Sequence, residues 1–230
     1  MRTWIGLILA VTVLLVILFA IFNRKNDHAV LSKQYYTFDP AVLMTDYLQS
    51  NTLTMTKVTT TDWSDVYELS KDPVATYIAM AGTLHTQETG ESSQLWKLTD
   101  VQVEAVVEDG AVLLKEVIVV LEKNGQFDDR AGHYASTIKF NLRNGFLQWT
   151  NQWYARRIVL RDLFANGEFS PDAVIGIARE NGGDAFCASS NTECKLQLQR
   201  KGSRWLVLYS IGTRELDLSI HPLTGKVRGN

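Results

Sequence analysis

A run of nineteen residues from Trp4 to Phe22 limits most strongly what this chain can form, because it carries no charge and Thr12 holds its one hydroxyl group. As a helix, the run spans about 28 Å, close to the ~30 Å hydrocarbon core of a bilayer. A helix is also the one structure in which a single segment can pair all its own backbone polar groups in lipid. The sequence therefore predicts one membrane-spanning helix, followed by a region that is water-soluble in character.

The apolar run favours a retained anchor over a cleaved signal peptide. A signal peptide has roughly 7 to 15 apolar residues, followed by a small-residue cleavage site. Here the run is longer, and Asn23, Arg24 and Lys25 follow it. Residues 1–28 are therefore predicted to be a membrane anchor with its flanks. The charges do not fix the orientation of the anchor, because Arg2 lies on one side and two basic residues lie on the other.

The chain as a whole has an ordinary globular composition, with 46% hydrophobic and 21% charged residues. Its 23 basic and 25 acidic residues form no long run of one sign. This balance argues against nucleic acid as a partner, because phosphate binding requires a basic face. About 200 residues suffice for two small domains. We predict an antiparallel β-rich α+β region over residues 29–160 and a small helix-plus-three-strand module over 161–230.

Alternating residues predict an antiparallel meander between Leu95 and Tyr154. Valines alternate with polar residues from Val101 to Val107, which is typical of a strand with one wet face. The segment from Val112 to Leu121 is almost continuously apolar, as in a strand covered on both faces. Turn-forming pairs separate the predicted strands: Asp109-Gly110, Asn124-Gly125 and Asn144-Gly145. After the second pair, the polar residues 126–132 fit a loop as well as a tight turn.

The patterns before the meander are shorter. Residues 23–33 are polar and predict a tether, with order beginning near Tyr35. Asp39 and Pro40 are typical of an N-cap and first helical residue, and predict a short helix. Alternation in 52–61 predicts a strand. Residues 74–85 fit either a strand or a helix, and their β-branched and aromatic residues favour a strand.

The C-terminal segment predicts one helix followed by a small sheet. Ser170 as N-cap and Pro171 at the first position open the helix, which ends at Gly182-Gly183. Alternation then predicts three strands, at Lys195–Arg200, Trp205–Ile211 and Glu215–Ile220.

This unit, AVIGIARENGG followed by KLQLQ, RWLVLYSI and LSIHPLTGKV, resembles a PepSY domain from about residue 170 to 230. PepSY domains usually carry an Asp before the closing Thr-Gly turn, where this chain has Leu223. The resemblance implies an extracytoplasmic regulatory or inhibitory module that binds without catalysis. The fold class predicted for the whole chain is α+β: an N-terminal transmembrane helix, an antiparallel β meander, and then a small helix-on-sheet, PepSY-like module.

The middle of the chain, over residues 93–155, is similar to the bitopic lipopolysaccharide-transport proteins. The similarity lies in one N-terminal anchor followed by LWKLTDVQVEAVVEDGAVLLKEVIVVLEKNG. It implies an open groove of strands that holds lipid. A long strand series with few helices is expected of that family, and the helix that begins at Pro171 departs from it.

Two cysteines, Cys187 and Cys194, are separated by six residues of mostly polar character. Such a segment forms a loop whose ends reach disulfide distance. The alternative is two unrelated thiols, whereas the spacing does not fit a redox or zinc motif. A disulfide places the soluble part outside the cytosol.

No residue pattern predicts catalysis, a cofactor or a metal. The histidines at 28, 85, 133 and 221 lack metal-ligand spacing. His133 lies near Asp128 and Asp129, which fits an acid–base pair or, more simply, a solvated loop. The acids Asp62, Asp65 and Glu68 fit an exposed face rather than a calcium loop. The motifs of serine hydrolases, P-loop proteins and dinucleotide-binding proteins are absent from the sequence.

A group of aromatic and basic residues is the remaining candidate site. The group consists of Trp149, Trp153, Tyr154, Arg156 and Arg157. Protein interfaces favour Trp, Tyr and Arg, so the group could form a recognition surface. The spacing is that of a strand, so its aromatic residues could equally belong to the core.

The predicted function is that of a single-pass, membrane-anchored extracytoplasmic protein of a cell envelope, which binds a peptide, protein segment or protease without catalysis. Residues 4–22 are predicted to contact the membrane, and no nucleic-acid partner is predicted. The sequence leaves open whether the protein binds a small molecule. The alternatives are an envelope lipid-handling component and an unrecognised hydrolase.

Overall fold

The computed structural model describes residues 28–59, 65–164 and 167–229. The membrane-spanning helix predicted at residues 4–22 lies outside these ranges, as does Asp62 of the predicted acidic face. Within the ranges, no helix is both long and apolar enough to cross a membrane.

Strands outnumber helices in the described chain. In order, the elements are β1 (His28–Thr37), α1 (Pro40–Ser50), β2 (Thr56–Val58), α2 (Val74–Thr89), β3 (Lys97–Glu108), β4 (Ala111–Phe127), β5 (Arg130–Asn141), β6 (Phe146–Tyr154), α3 (Pro171–Ala178), α4 (Asp184–Ala188), β7 (Cys194–Lys201), β8 (Arg204–Ile211), β9 (Arg214–Ile220) and β10 (Val227–Gly229). A 3-10 turn (Ser93–Leu95) precedes β3, and a π-helical segment (Arg179–Gly183) joins α3 to α4.

These strands form one sheet, so the predicted fold class is wrong. The order across the ten-stranded sheet is β10-β9-β8-β7-β3-β4-β5-β6-β1-β2, and all neighbouring strands are antiparallel. Strand β7 pairs with β3 from Gln102↔Gln199 to Val107↔Cys194, so the predicted module continues the sheet of the predicted meander. Pairing removes two exposed edges, but strand alternation alone does not reveal which distant strands pair. The division of the chain at residue 160 stays a prediction.

Residues 74–85, for which a strand was favoured, lie in helix α2, so that prediction is wrong. Its buried residues follow helical spacing: Val74, Tyr77, Met80, Ala81, Leu84 and His85. Burial of this stripe against the sheet outweighs the strand propensity of its β-branched and aromatic residues. The helix ends at Gly90, whose φ of 71° suits the left-handed C-cap.

The N-termini of α2 and α3 meet. Pro73, the N-cap of α2, offers no side-chain hydrogen bond, and Asp172 of α3 takes that role. Its carboxylate accepts from the backbone N–H groups of Val74 at 2.8 Å and Ala75 at 3.0 Å. Both helices pack on one face of the sheet, above its largest buried side chains. These include Trp149, Phe140, Trp205 and Tyr209.

The chain reverses at two of the three turn-forming residue pairs predicted from the sequence, so those two predictions are confirmed. Asp109-Gly110 reverses the chain with φ angles of 49° and 73°, and Gly145 ends the next predicted turn with φ of 57°. The prediction for Asn124-Gly125 is wrong, because β4 continues to Phe127 and the chain reverses at Asp128-Asp129. Gly125 serves a close approach instead, since a Cβ there would lie 2.6 Å from the Tyr134 ring.

Local cap signals near the start of the chain are confirmed, whereas the lengths of two segments are wrong. The Asp39 side chain accepts from Ala41 N at 2.9 Å, and Pro40 opens α1. Of the tether predicted over residues 23–33, the described part, 28–33, belongs to β1 and pairs with β6. Within 52–59, the described part of the strand predicted over 52–61, only the three residues of β2 form a strand.

Candidate functional site

Strand β1 has a free edge. It pairs with β6 along its length, from His28↔Tyr154 to Thr37↔Phe146. On its other side, β2 covers only Tyr35 to Thr37. From His28 to Gln34, no described strand pairs with that side. In an antiparallel strand, alternate residues direct their N–H and C=O groups to each side, so this edge presents unpaired backbone groups.

A cleft of about 330 Å³ opens beside the free edge, between the C-terminal end of α2 and the sheet. Ser32 pairs with Asn151, which places part of β1 in the cleft wall. The lining residues come from six elements or connections: Leu31, Ser32, Glu88, Thr89, Glu91, Trp96, Lys123, Tyr134, Trp149 and Asn151.

An ion pair forms one wall of the cleft. Lys123 pairs with Glu91, and the Trp96 indole N–H donates to the same carboxylate at 2.9 Å. The Lys123 ammonium also lies 4.9 Å from the Trp96 ring centre and 5.4 Å from that of Tyr134. The hydrogen bond from Lys123 is the main cause that holds the pKa of Glu91 below its ordinary value. Glu91 is therefore a fixed carboxylate rather than a general base.

A second carboxylate lies between the cleft and β2. The Tyr36 hydroxyl donates to Glu88, and Lys57 Nζ lies 3.7 Å from the other oxygen of Glu88. Burial, followed by the bond to Glu88, raises the pKa of Tyr36, so its hydroxyl stays a neutral donor. Glu88 and Glu91 lie at the negative end of the α2 dipole, and no basic residue occupies the last turn of α2. This arrangement weakens the helix end and concentrates negative charge there.

A buried polar chain lies beneath the cleft. The Trp149 indole N–H donates to Ser136 Oγ at 2.8 Å, and Ser136 Oγ lies 2.9 Å from His85 Nδ1. Since the indole can only donate, we assign the Ser136 hydroxyl as donor to Nδ1, which leaves the proton of His85 on Nε2. Burial lowers the pKa of His85 to about 4. Ser136 and His85 are fully buried, so a substrate does not reach this serine.

Asn151 adds an unused acceptor to the cleft. Its Oδ1 atom is buried and has no hydrogen-bond partner among the described residues. A buried acceptor without a partner costs about 1–3 kcal/mol. The cleft thus combines two carboxylates, one ammonium and an amide oxygen that lacks a donor.

The structure separates the predicted aromatic and basic group. Trp149 and Trp153 are each 2% exposed, and Trp149 forms part of the cleft. Tyr154 is half-buried, with the rings of His28 and His133 both 4.9 Å away. The basic members, Arg156 and Arg157, are exposed in the segment that follows β6. An interface made by all five stays a prediction.

The acid–base pair, the less favoured alternative for His133, does not form, and the solvated loop that was favoured is wrong for His133, which is 8% exposed in β5. The Nε2 atom of His133 lies 3.5 Å from Glu122, and its Nδ1 atom bonds with Arg156 O, while Asp128 and Asp129 make the turn. Within the described ranges, no three His, Cys, Asp or Glu side chains converge as a metal site would require.

The predicted disulfide is confirmed. Cys187 of α4 and Cys194 at the start of β7 are bonded, with their Cα atoms 5.4 Å apart.

Sequence reasoning missed the charged residues of the cleft. The available signal was one acid in the last turn of a helix, Glu88, with a second, Glu91, just after its C-cap, because negative charge at a helix C-terminus is unfavourable. The assignment of residues 74–85 to a strand hid that signal, and no local pattern links Glu88 to Lys123 or Asn151.

Comparison with protein-family models, with curated proteins and with solved structures finds no match. Any function assigned to this chain therefore rests on its own residues and their geometry.

Proposed function

We propose that this chain is a membrane-attached, extracytoplasmic binding protein that takes an extended segment of a protein partner as an added strand along β1. The free edge from His28 to Gln34, with a cleft beside it, is the observation that carries the proposal. In strand addition, main-chain hydrogen bonds supply affinity, and pockets for alternate side chains supply specificity.

If the partner adds as a strand along β1, every second side chain of that strand points toward the cleft. Alternate side chains of an added strand point to opposite faces of the sheet. Those on the helix-covered face pass Leu31 and Ser32, which line the cleft. The register of β1 shifts between Val30 and Ser32, and such a bulge breaks the regular edge that would otherwise favour uncontrolled pairing.

The charges of the cleft favour a basic side chain of the partner. The cleft lining holds Glu88, Glu91 and Lys123, while Lys57 lies outside the lining, 3.7 Å from Glu88. The C-terminal end of α2 adds a partial negative charge beside the two carboxylates. A Lys or Arg side chain brings several N–H donors and a positive charge to these acceptors.

Two features of the chain support the proposed location. The apolar residues 4–22 supply membrane attachment, and a disulfide persists mainly in oxidising compartments. The resemblance of residues 170–230 to PepSY domains implies the same class of function, namely binding without catalysis.

The alternatives have less support. Lipid handling by the predicted mechanism needs an apolar groove of strands, whereas the described strands form a single sheet with helices on one face. Hydrolysis needs a reachable nucleophile, and the Ser136–His85 pair is fully buried.

Peptide selection combined with amide exchange tests the proposal. The full chain in lipid nanodiscs is used to select binders from a library of twelve-residue peptides. Hydrogen exchange is then measured for the amides of His28 to Gln34, with the β10 edge (Val227–Gly229) as the control. We expect selected peptides to slow exchange along β1 and leave β10 unchanged.

The peptides themselves supply a matched control. N-methylation of alternate residues blocks the amides that face β1 in one set and the amides that face away in the other. Strand addition requires that only one set abolishes binding. Selected peptides that leave exchange at residues 28–34 unchanged, or that tolerate both methylation sets, contradict the proposal.

A further inference from the structure

The segment that follows β6 crosses the end of the sheet instead of leaving it. We name residues 155–163 the strap. Its contacts run, in order, from Arg156 O to His133 Nδ1 of β5, from Ile158 O to Asn124 Nδ2 of β4 at 3.0 Å, from Leu160 O to Lys97 Nζ of β3 at 3.2 Å, and from Leu163 N to Leu98 O of β3 at 2.7 Å. The backbone of the strap is therefore held against three successive strands.

The outer side of the strap is basic and apolar together. Arg156, Arg157 and Arg161 are exposed, and Val159 between them is 99% exposed. The one acidic residue of the strap is Asp162, which is half-buried, so the three arginines leave the strap with a net positive charge. A single exposed valine is ordinary. An exposed valine flanked by three arginines on a fixed backbone is typical of a surface that lies at a lipid interface.

The strap lies where the N-terminal segment leaves the sheet. Tyr154, the residue before the strap, pairs with His28, and the two rings lie 4.9 Å apart. Residues 23–27 separate His28 from Phe22, the end of the apolar run. The six steps from Phe22 to His28 span at most about 22 Å. Membrane attachment through residues 4–22 therefore keeps the strap close to the lipid surface.

We infer that the strap binds the anionic headgroups of that membrane surface, with its arginines on the headgroups and Val159 at the interface. The inference rests on the membrane attachment contained in the proposed function. Each arginine near an anionic surface favours contact by about fivefold. A second contact beside the tether also fixes the orientation of the sheet, because the strap spans the ends of β3, β4 and β5.

Fluorescence in vesicles tests this inference on the full chain. Val159→Cys is labelled with a nitrobenzoxadiazole dye, which the disulfide-bonded Cys187 and Cys194 do not accept. Val42→Cys, at a 45% exposed position near the start of α1, is the matched control. Each labelled chain is reconstituted in phosphatidylcholine vesicles with or without about a third phosphatidylglycerol, a fraction that gives a strongly negative surface.

With phosphatidylglycerol, we expect the label at residue 159 to shift to the blue and to be quenched by lipids that carry a headgroup spin label. The label at residue 42 should not change. Adding Arg156→Gln, Arg157→Gln and Arg161→Gln should lower the equilibrium constant for contact about a hundredfold, at about fivefold per arginine, and so remove most of the quenching. These three side chains are exposed, and an unchanged thermal transition verifies that the variant is folded.

The outcomes separate the inference from the proposed function. If the chain floats with the vesicles but residue 159 remains as accessible to water as residue 42, the strap does not contact lipid and the inference is overturned alone. Equal quenching with and without phosphatidylglycerol overturns the assignment of anionic headgroups. A chain that does not float with vesicles overturns both the inference and the membrane attachment.

Discussion

The two halves of the sheet repeat one plan but are secured differently. In the first half, α2 precedes the meander of β3 to β6, and in the second, α3 and α4 precede β7 to β10. The halves join where β3 pairs with β7. Helix α2 runs unbroken for 16 residues and ends beside the cleft. Its counterpart breaks at Asn181 and Gly182, and a disulfide then ties its end to β7.

The buried polar groups differ in the same way. The first half buries a neutral chain through His85, Ser136 and Trp149. The second half buries an ion pair, in which Arg200 Nη2 lies 3.1 Å from Glu168 Oε1 and both side chains are 3% exposed. The second half thus adds covalent and ionic links in its interior. Open, charged clefts lie at the helix ends of both halves: the one beside α2, and one of about 800 Å³ beside α4 that Asp184 and Glu193 line.

The largest effect is expected from breaking the ion pair of the second half. Glu168→Gln leaves the charge of Arg200 buried without a counter-ion. Burial of Arg200 already disfavours its charged form, as its lowered pKa indicates. Loss of one partner from a buried pair costs about 3–5 kcal/mol. Urea unfolding of the variant should show a loss of this size.

A more exposed ion pair, which joins β4 of the first half to the loop before β7, supplies the control. Lys115 lies 3.1 Å from Glu193, whose side chain is 44% exposed. Glu193→Gln should therefore change the free energy of unfolding by less than about 1 kcal/mol. Equal losses for the two variants would show that burial of the Arg200 pair does not matter to stability.

Acid should weaken the first half through His85. Its pKa is about 4 in the folded chain against an ordinary value of 6.5. Between these values the unfolded chain binds a proton that the folded chain does not, so stability falls as pH decreases from 6.5 to 4. The loss reaches about 3 kcal/mol, at about 1.36 kcal/mol per pH unit, and no further loss follows below pH 4.

His85→Gln isolates this contribution. Carboxylates such as Glu91 add their own pH dependence, but they are present in both chains. Urea unfolding at pH 7 and pH 4.5 should show a smaller decrease for the variant than for the native chain. Identical decreases would mean that His85 is not kept neutral by burial.

The disulfide gives the next contrast. Cys187 and Cys194 close a short loop, for which chain entropy predicts about 2–3 kcal/mol of stabilisation. The Cys187→Ala, Cys194→Ala double variant should lose that amount in urea unfolding. Peptide binding at the β1 edge should not change, because the cleft lies in the other half. A matching loss of peptide affinity would show that the halves do not act separately.

Sequence patterns predicted short-range features because the deciding residues are neighbours. Asp39-Pro40, Asp109-Gly110 and Cys187 with Cys194 each act through atoms a few residues apart. The pairing of β3 with β7 was not predictable in this way, since it depends on distant strands meeting in register.

The cleft was equally hidden from the sequence. Glu88, Lys123 and Asn151 come from a helix and two strands, and only the completed sheet brings them together. Gly125 illustrates the same limit, because its role depends on the Tyr134 ring in the neighbouring strand.

The smallest effect concerns the contact between the two helices. Asp172 of α3 caps α2 by accepting from Val74 N and Ala75 N, so removal of its carboxylate leaves two backbone donors without their partner. Asp172→Ala should cost about 1 kcal/mol, within the range of ordinary N-caps. Asp172→Asn keeps one acceptor and should cost less. The measurement is urea unfolding at pH 7.

If Asp172→Asn costs as much stability as Asp172→Ala, then the negative charge at the start of α2 matters more than the hydrogen bonds. If neither variant loses stability, the contact of Asp172 with α2 does not help to hold the two halves together.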